Sequence, residues 1–126
     1  MTQLGFASPF FISANLDAAI AFYRDRLGFS VTFAEPQPAP FFAIVNRGGA
    51  RFMLKELGPD VRPAPNHVRH ADARWDAFVF TQEPDELAEE YGVAAGHTQD
   101  GLHGFEIVDT DGYKLFFGCP APEANT

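Results

Sequence analysis

The side chains of this sequence most suited to chemistry are few: His67, His70, His97 and His103, the aspartates of the turn "DTDG" at 109–112, and Cys119. His67 and His70 are three apart, a spacing that puts both on one face of a helix. They lie, however, in "GPDVRPAPNHVRHA", a proline-rich stretch without apolar periodicity that reads as a solvated connector. His97 and His103 flank the loop before the last hairpin; His103 reads first as a plain loop histidine and second as a hydrogen-bonding group for a ligand at the rim of a site there. Asp109 and Asp111 belong first to turn chemistry, because Asx side chains bond nearby backbone amides. One cysteine forms no disulfide within these 126 residues and no multi-cysteine zinc site; Cys119 reads as a small packed residue. No Ser-His-Asp or Cys-His arrangement is supported, and Gly48-Gly49 lacks the spacing of a phosphate loop. No catalytic residue and no cofactor is expected.

The less ordinary feature is apolar. The chain has 14 Phe against one Trp and three Tyr. Phe has no polar handle, so it serves cores, apolar pockets and subunit interfaces alike. In "YKLFFG", strand neighbours point to opposite sides. Phe117 is expected in the core under a helix, leaving Phe116 for the other face, with Lys114 at its rim. A formal charge of −8 with nine Lys plus Arg argues against a nucleic-acid partner. An acidic surface attracts cations or simply keeps a protein soluble. No apolar run approaches the ~18 residues of a membrane span, and "MTQLGFASPFFIS" lacks a basic region before its apolar stretch. A cytoplasmic protein with no membrane partner is expected.

The elements that must position these side chains repeat. "PFFISA" reads as a strand, and "NLDAAIAFYRDRLG" as a helix with Asn15 or Asp17 at its start and Gly28 at its end. "FSVTFAE", "FFAIVNRGG" and "ARFMLKEL" follow as strands, the last two a hairpin. After the connector 58–71 the order restarts. "RWDAFVFT" is a strand, "EPDELAEEYGV" a helix, 93–98 a weak strand, and "GFEIVD" with "YKLFFG" a hairpin around "DTDG". The tail "PAPEANT" is expected to be loose. Residues 6–57 and 72–118 thus make two βαβββ repeats within one domain, 1–126. The fold class is α+β, with two βαβββ repeats forming a curved, half-open barrel, helices outside, and a concave face suited to a small ligand.

Three stretches in this order resemble the vicinal-oxygen-chelate superfamily, which includes glyoxalase I, extradiol dioxygenases and bleomycin-resistance proteins. "NLDAAIAFYRDRLGFSV" is similar to the family's helix and following "LGF", "RGGARFMLKE" to the end of its first repeat, and "GFEIVDTDGYKLFF" to its closing "DPDG" hairpin, with Thr110 where Pro is usual. Enzymes of the family hold a divalent metal through His, Glu or Gln on four strands. Carried over by spacing, these positions are Ser8, Met53, Trp75 and Phe116, none a fit ligand for such ions. Of their neighbours only Asp76 could ligate. The resemblance is nearest to the metal-free, bleomycin-resistance-type branch, although "DGLHG" stands where that branch usually has a Trp-Gly pair.

What this implies is a metal-free protein that binds and sequesters an aromatic or cationic drug-like molecule, as a homodimer with shared grooves. The expected lining is Phe10, Phe33, Phe41, Phe42, Met53, Trp75, Phe105 and Phe116, with His103 at the rim. By alternation Ile12, Arg51, Lys55, Ala77 and Val79 share that side. Two alternatives remain: a superfamily enzyme of lyase or dioxygenase type with a divergent metal site, and a non-catalytic scaffold whose cup is filled by its own aromatics.

Overall fold

The structure, a computed structural model, describes residues 1–122; the end of the "PAPEANT" tail, 123–126, lies outside the described residues. The chain divides into two compact units, 1–64 with 109–112, and 65–108 with 113 onward. Each holds one four-stranded sheet of mixed direction, and the α+β class with two βαβββ repeats is the observed architecture.

The first unit runs β1 (Phe10–Ile12), α1 (Leu16–Ala21), β2 (Ser30–Glu35), β3 (Phe42–Arg47) and β4 (Ala50–Lys55), in sheet order β1-β4-β3-β2. Helix α1 starts where the Asn15 side chain accepts the Ala18 amide at 3.1 Å, which settles the cap on Asn15 rather than Asp17. The helix then loosens into one π turn, Phe22–Arg26, closed by the Leu27 amide donating to the Phe22 carbonyl at 3.2 Å. Gly28 ends it in the left-handed region at φ 75°.

Alternation gives the sheet two faces. Phe11, Ala43, Val45, Phe52 and Leu54 are buried, and the Phe52 ring meets Tyr23 at 5.4 Å and Phe29 at 5.8 Å. That side is therefore the core under the helix. The buried Tyr23 hydroxyl donates to Asp109 Oδ2 at 2.7 Å, and Asp111 Oδ1 accepts the Ala14 amide at 2.9 Å. The "DTDG" aspartates do form a turn, the Asp111 amide donating to Asp109 Oδ1, but they also tie it to this unit.

The second unit opens with a short helix, α2 (Asn66–Arg69), inside the stretch expected to be plain connector. It continues as β5 (Ala77–Phe80), α3 (Pro84–Tyr91), β6 (Gly96–His97), β7 (Leu102–Val108) and β8 (Lys114–Pro120), in sheet order β5-β8-β7-β6. Gly92 closes α3 at φ 71°. The core here is Tyr91 of α3 set edge-on to Phe105 and Phe117, which stack on each other at 5.4 Å. Both sheets thus place one face under a helix and leave the other for different use.

Candidate functional site

In the first unit, direct pairing fixes which side chains share the face away from α1. Phe10 pairs with Met53, Met53 with Ile44, and Ile44 with Phe33, giving one apolar row across four strands. The next row joins Ile12, Lys55, Phe42 and Glu35, and the row on the other flank joins Arg51, Asn46 and Ser30. Phe42 lies 6.2 Å from Phe10 and 5.8 Å from Phe33, ring centre to ring centre. Phe10, Phe33, Phe42 and Met53 are therefore brought together, with Phe10 53% exposed. Ile44 belongs with them and was not read from the sequence, although its alternation with Phe42 could have found it. Phe41 precedes β3 rather than lying in it; it is half exposed, with the Lys55 ammonium 5.9 Å above its ring.

In the second unit, Phe116 pairs with Phe78 on β5 and with Glu106 on β7. Trp75 covers Phe116 at 4.9 Å, and Phe78 stacks on Phe116 at 5.6 Å with only 19° between ring planes. Phe116 is 3% exposed, so it forms the floor of an aromatic stack whose outer rings are Trp75 and Phe78. Arg74 lays its guanidinium 4.5 Å over Trp75 and pairs with Asp100. Arg74, Gln99 and Asp100 line a recess of about 460 Å³. The Thr98 hydroxyl donates to Asp100 and, with a smaller contribution from Arg74, holds its carboxyl below the ordinary 3.8 against the opposing effect of desolvation.

Three sequence expectations are corrected here. Phe105 pairs with Phe117, not with Phe116, and is 5% exposed against Tyr91; it belongs to the helix-side core. His103 lies on the same side as Phe105, its Nε2 2.9 Å from Asp85 of α3 and its ring 4.6 Å from His97. It therefore faces the helix rather than the rim beside Phe116. Ala77, expected to line the cup, pairs with Leu115 and is buried in the core, and Val79 pairs with Phe117. The physical reason is that Trp75 precedes the strand, so parity counted from it is off by one, and Phe78 takes the place assigned to its neighbours.

The same shift moves one of the metal-ligand positions. Phe10 and Phe78 occupy equivalent pairings, with Met53 and Phe116, so the counterpart of Ser8 is Asp76 and not Trp75. The Asp76 carboxylate is already engaged, accepting the Asn66 amide on Oδ1 and the Lys114 amide on Oδ2, both at 2.8 Å. Ser8, Met53, Asp76 and Phe116 do not fit a divalent ion: one carboxylate bound to backbone amides, a thioether, a hydroxyl and a buried phenyl ring make no oxygen- or imidazole-rich shell. Among the described residues no group of three or more His, Cys, Asp or Glu is placed to hold a metal.

Comparison with known proteins gives a consistent family. A family model described as the Glyoxalase/Bleomycin resistance protein/Dioxygenase superfamily matches residues 5–116. Similar solved structures include the bleomycin-binding protein of bleomycin-producing Streptomyces verticillus complexed with copper(II)-bleomycin, at 21% identity and TM-score 0.67, covering 98% of this chain and 100% of that one. The bleomycin resistance determinant encoded on the transposon Tn5 has 20% identity, TM-score 0.68, and coverage of 93% and 98%. The antibiotic binding protein TnmS3 from Streptomyces sp. CB03234 has 17% identity, TM-score 0.67, and coverage of 96% and 99%. At these identities the likeness is one of fold. No curated protein matches the chain.

Proposed function

The chain belongs to the Glyoxalase/Bleomycin resistance protein/Dioxygenase superfamily, and from that premise we propose that it binds and sequesters a small aromatic molecule without a metal and without chemistry. One observation carries the reading: where metal-dependent relatives would place a ligand on β8, this chain has Phe116, packed beneath Trp75 and Phe78 in a cluster of three rings. Rings in these positions offer stacking worth about 0.5–1.5 kcal/mol per pair beyond simple burial, and they offer nothing to a hard cation. The bleomycin- and antibiotic-binding proteins of the same fold support a drug-like ligand. A homodimer in the cytoplasm, with no nucleic-acid partner, is part of the proposal. The exposed Phe78 and Phe80 support a subunit contact, and 17 Asp plus Glu against nine Lys plus Arg disfavour a polyanion.

The burial of Phe116 supports a second reading, in which the Trp75–Phe78 stack is packing and only the open face of the first unit binds. Trp75 is the sole tryptophan, so its fluorescence separates the two. Titration with bleomycin and a panel of planar aromatic drugs, followed by calorimetry and by Trp75 emission, is expected to give saturable heat with a matching emission change. Heat without an emission change selects the second reading. Neither signal across the panel leaves a filled scaffold and rejects ligand binding.

A further inference from the structure

We propose that the open face of the first unit is built for an aromatic acid, its ring over the Phe10–Met53–Ile44–Phe33 row and its carboxylate on Arg51. This rests on the small-molecule-binding reading and gives that ligand a charge. The chain is acidic overall, yet the two charged side chains of β4 on this face are both cations, Arg51 and Lys55. Four basic side chains elsewhere have acceptors: Arg24 pairs with Asp25, Arg74 with Asp100, Lys114 with Glu106, and Arg47 donates to the Leu27 carbonyl. Arg51 and Lys55 instead lie against rings, Arg51 at 5.3 Å from the centre of Phe6 and Lys55 at 5.9 Å from that of Phe41. Neither forms a salt bridge among the described residues.

Arg51 is the better anchor. Its Nε is buried with no hydrogen-bond partner, and an unmatched buried donor costs stability unless something arrives to accept it. A planar carboxylate matches the guanidinium fork with two parallel bonds. Beside it on β3, Asn46 pairs directly with Arg51, and the Thr32 hydroxyl donates to Asn46 Oδ1 at 2.7 Å. That bond occupies the amide oxygen and leaves the Asn46 amide hydrogens for a second acceptor on the same side. Arg51 and Lys55 are four residues apart on one strand, about 13 Å, with the apolar row between them. A bicyclic ring system spans that row with its acid group at the Arg51 end.

The test is a matched series of naphthoate, naphthamide and naphthylmethylammonium, titrated by calorimetry into the full chain and into Arg51→Gln and Lys55→Gln variants. The acid is expected to bind about tenfold tighter than the amide and the amide tighter than the cation, a tenfold step being one charge-assisted contact. Arg51→Gln is expected to abolish the acid's advantage while leaving naphthamide within about twofold, and Lys55→Gln to reduce it by less, since its half-buried ammonium lies at the far end of the apolar row. If naphthamide binds but the acid gains nothing, or the cation binds best, the anionic assignment is overturned and aromatic binding stands. If no member of the series binds, the aromatic-acid site is rejected, and the binding reading is decided by the drug panel alone. Unfolding midpoints of the variants within a degree or so of the parent establish that a lost advantage is not lost structure.

Discussion

Two carboxylates illustrate how single residues set local behaviour. Asp109 is buried and accepts from the Tyr23 hydroxyl and the Asp111 amide. Tyr23→Phe removes one donor and strands part of a buried charge, so a loss of about 1–3 kcal/mol is expected in urea unfolding. Asp100 is exposed, and its carboxyl is held below 3.8 first by the Thr98 hydroxyl. A lowered folded-state value means its contribution is present above the unfolded value and fades as pH falls below 3.8 through the folded one. Thr98→Val is therefore expected to move the Asp100 titration, followed by carboxyl NMR, back up toward the ordinary range, with Arg74 alone giving a weaker depression. At this scale the alternation of Phe116 and Phe117 was legible in "KLFF", because neighbours on a strand always part company. The partners of a side chain were not: the hairpin around "DTDG" sets Phe105 opposite Phe117, and a register one residue different would have set it opposite Phe116.

Among the elements, the start and the glycine stop of α1 were readable, since Asn15 and Gly28 act through local geometry. Asn15→Ala is expected to cost about 1 kcal/mol by thermal unfolding, the usual effect of losing such a cap. The π turn at Phe22–Arg26 was not readable, because one wider turn leaves no periodicity to detect. Nor was the start of β5 readable. Asp76 binds the Asn66 and Lys114 amides just before that strand, and such an anchor comes from residues distant in sequence. Strands β7 and β8 carry a sharper demand. Gly104 and Gly118 pair across the ladder, and a Cβ on Gly104 would overlap the Phe117 carbonyl oxygen. Only backbone movement relieves that overlap, so Gly104→Ala is expected to lower stability by about 1–3 kcal/mol and to disturb the neighbouring Trp75–Phe116 stack, visible as a shift in tryptophan emission.

For the whole molecule, the duplicated βαβββ order was evident from the sequence because element order survives when residue identity does not. What the open faces hold was less evident: the acidic composition fits a cationic ligand or mere solubility, whereas pairing on β4 places two cations on one face with no carboxylate opposite them on β3. The central claim is that this member of the superfamily binds an aromatic compound with no metal. Calorimetric titration of planar aromatic compounds into protein dialysed against a chelator tests it most directly. Saturable binding, unchanged when Mg²⁺, Mn²⁺, Fe²⁺ or Zn²⁺ is returned, is the result predicted; binding or turnover that appears only with one of those ions would contradict it.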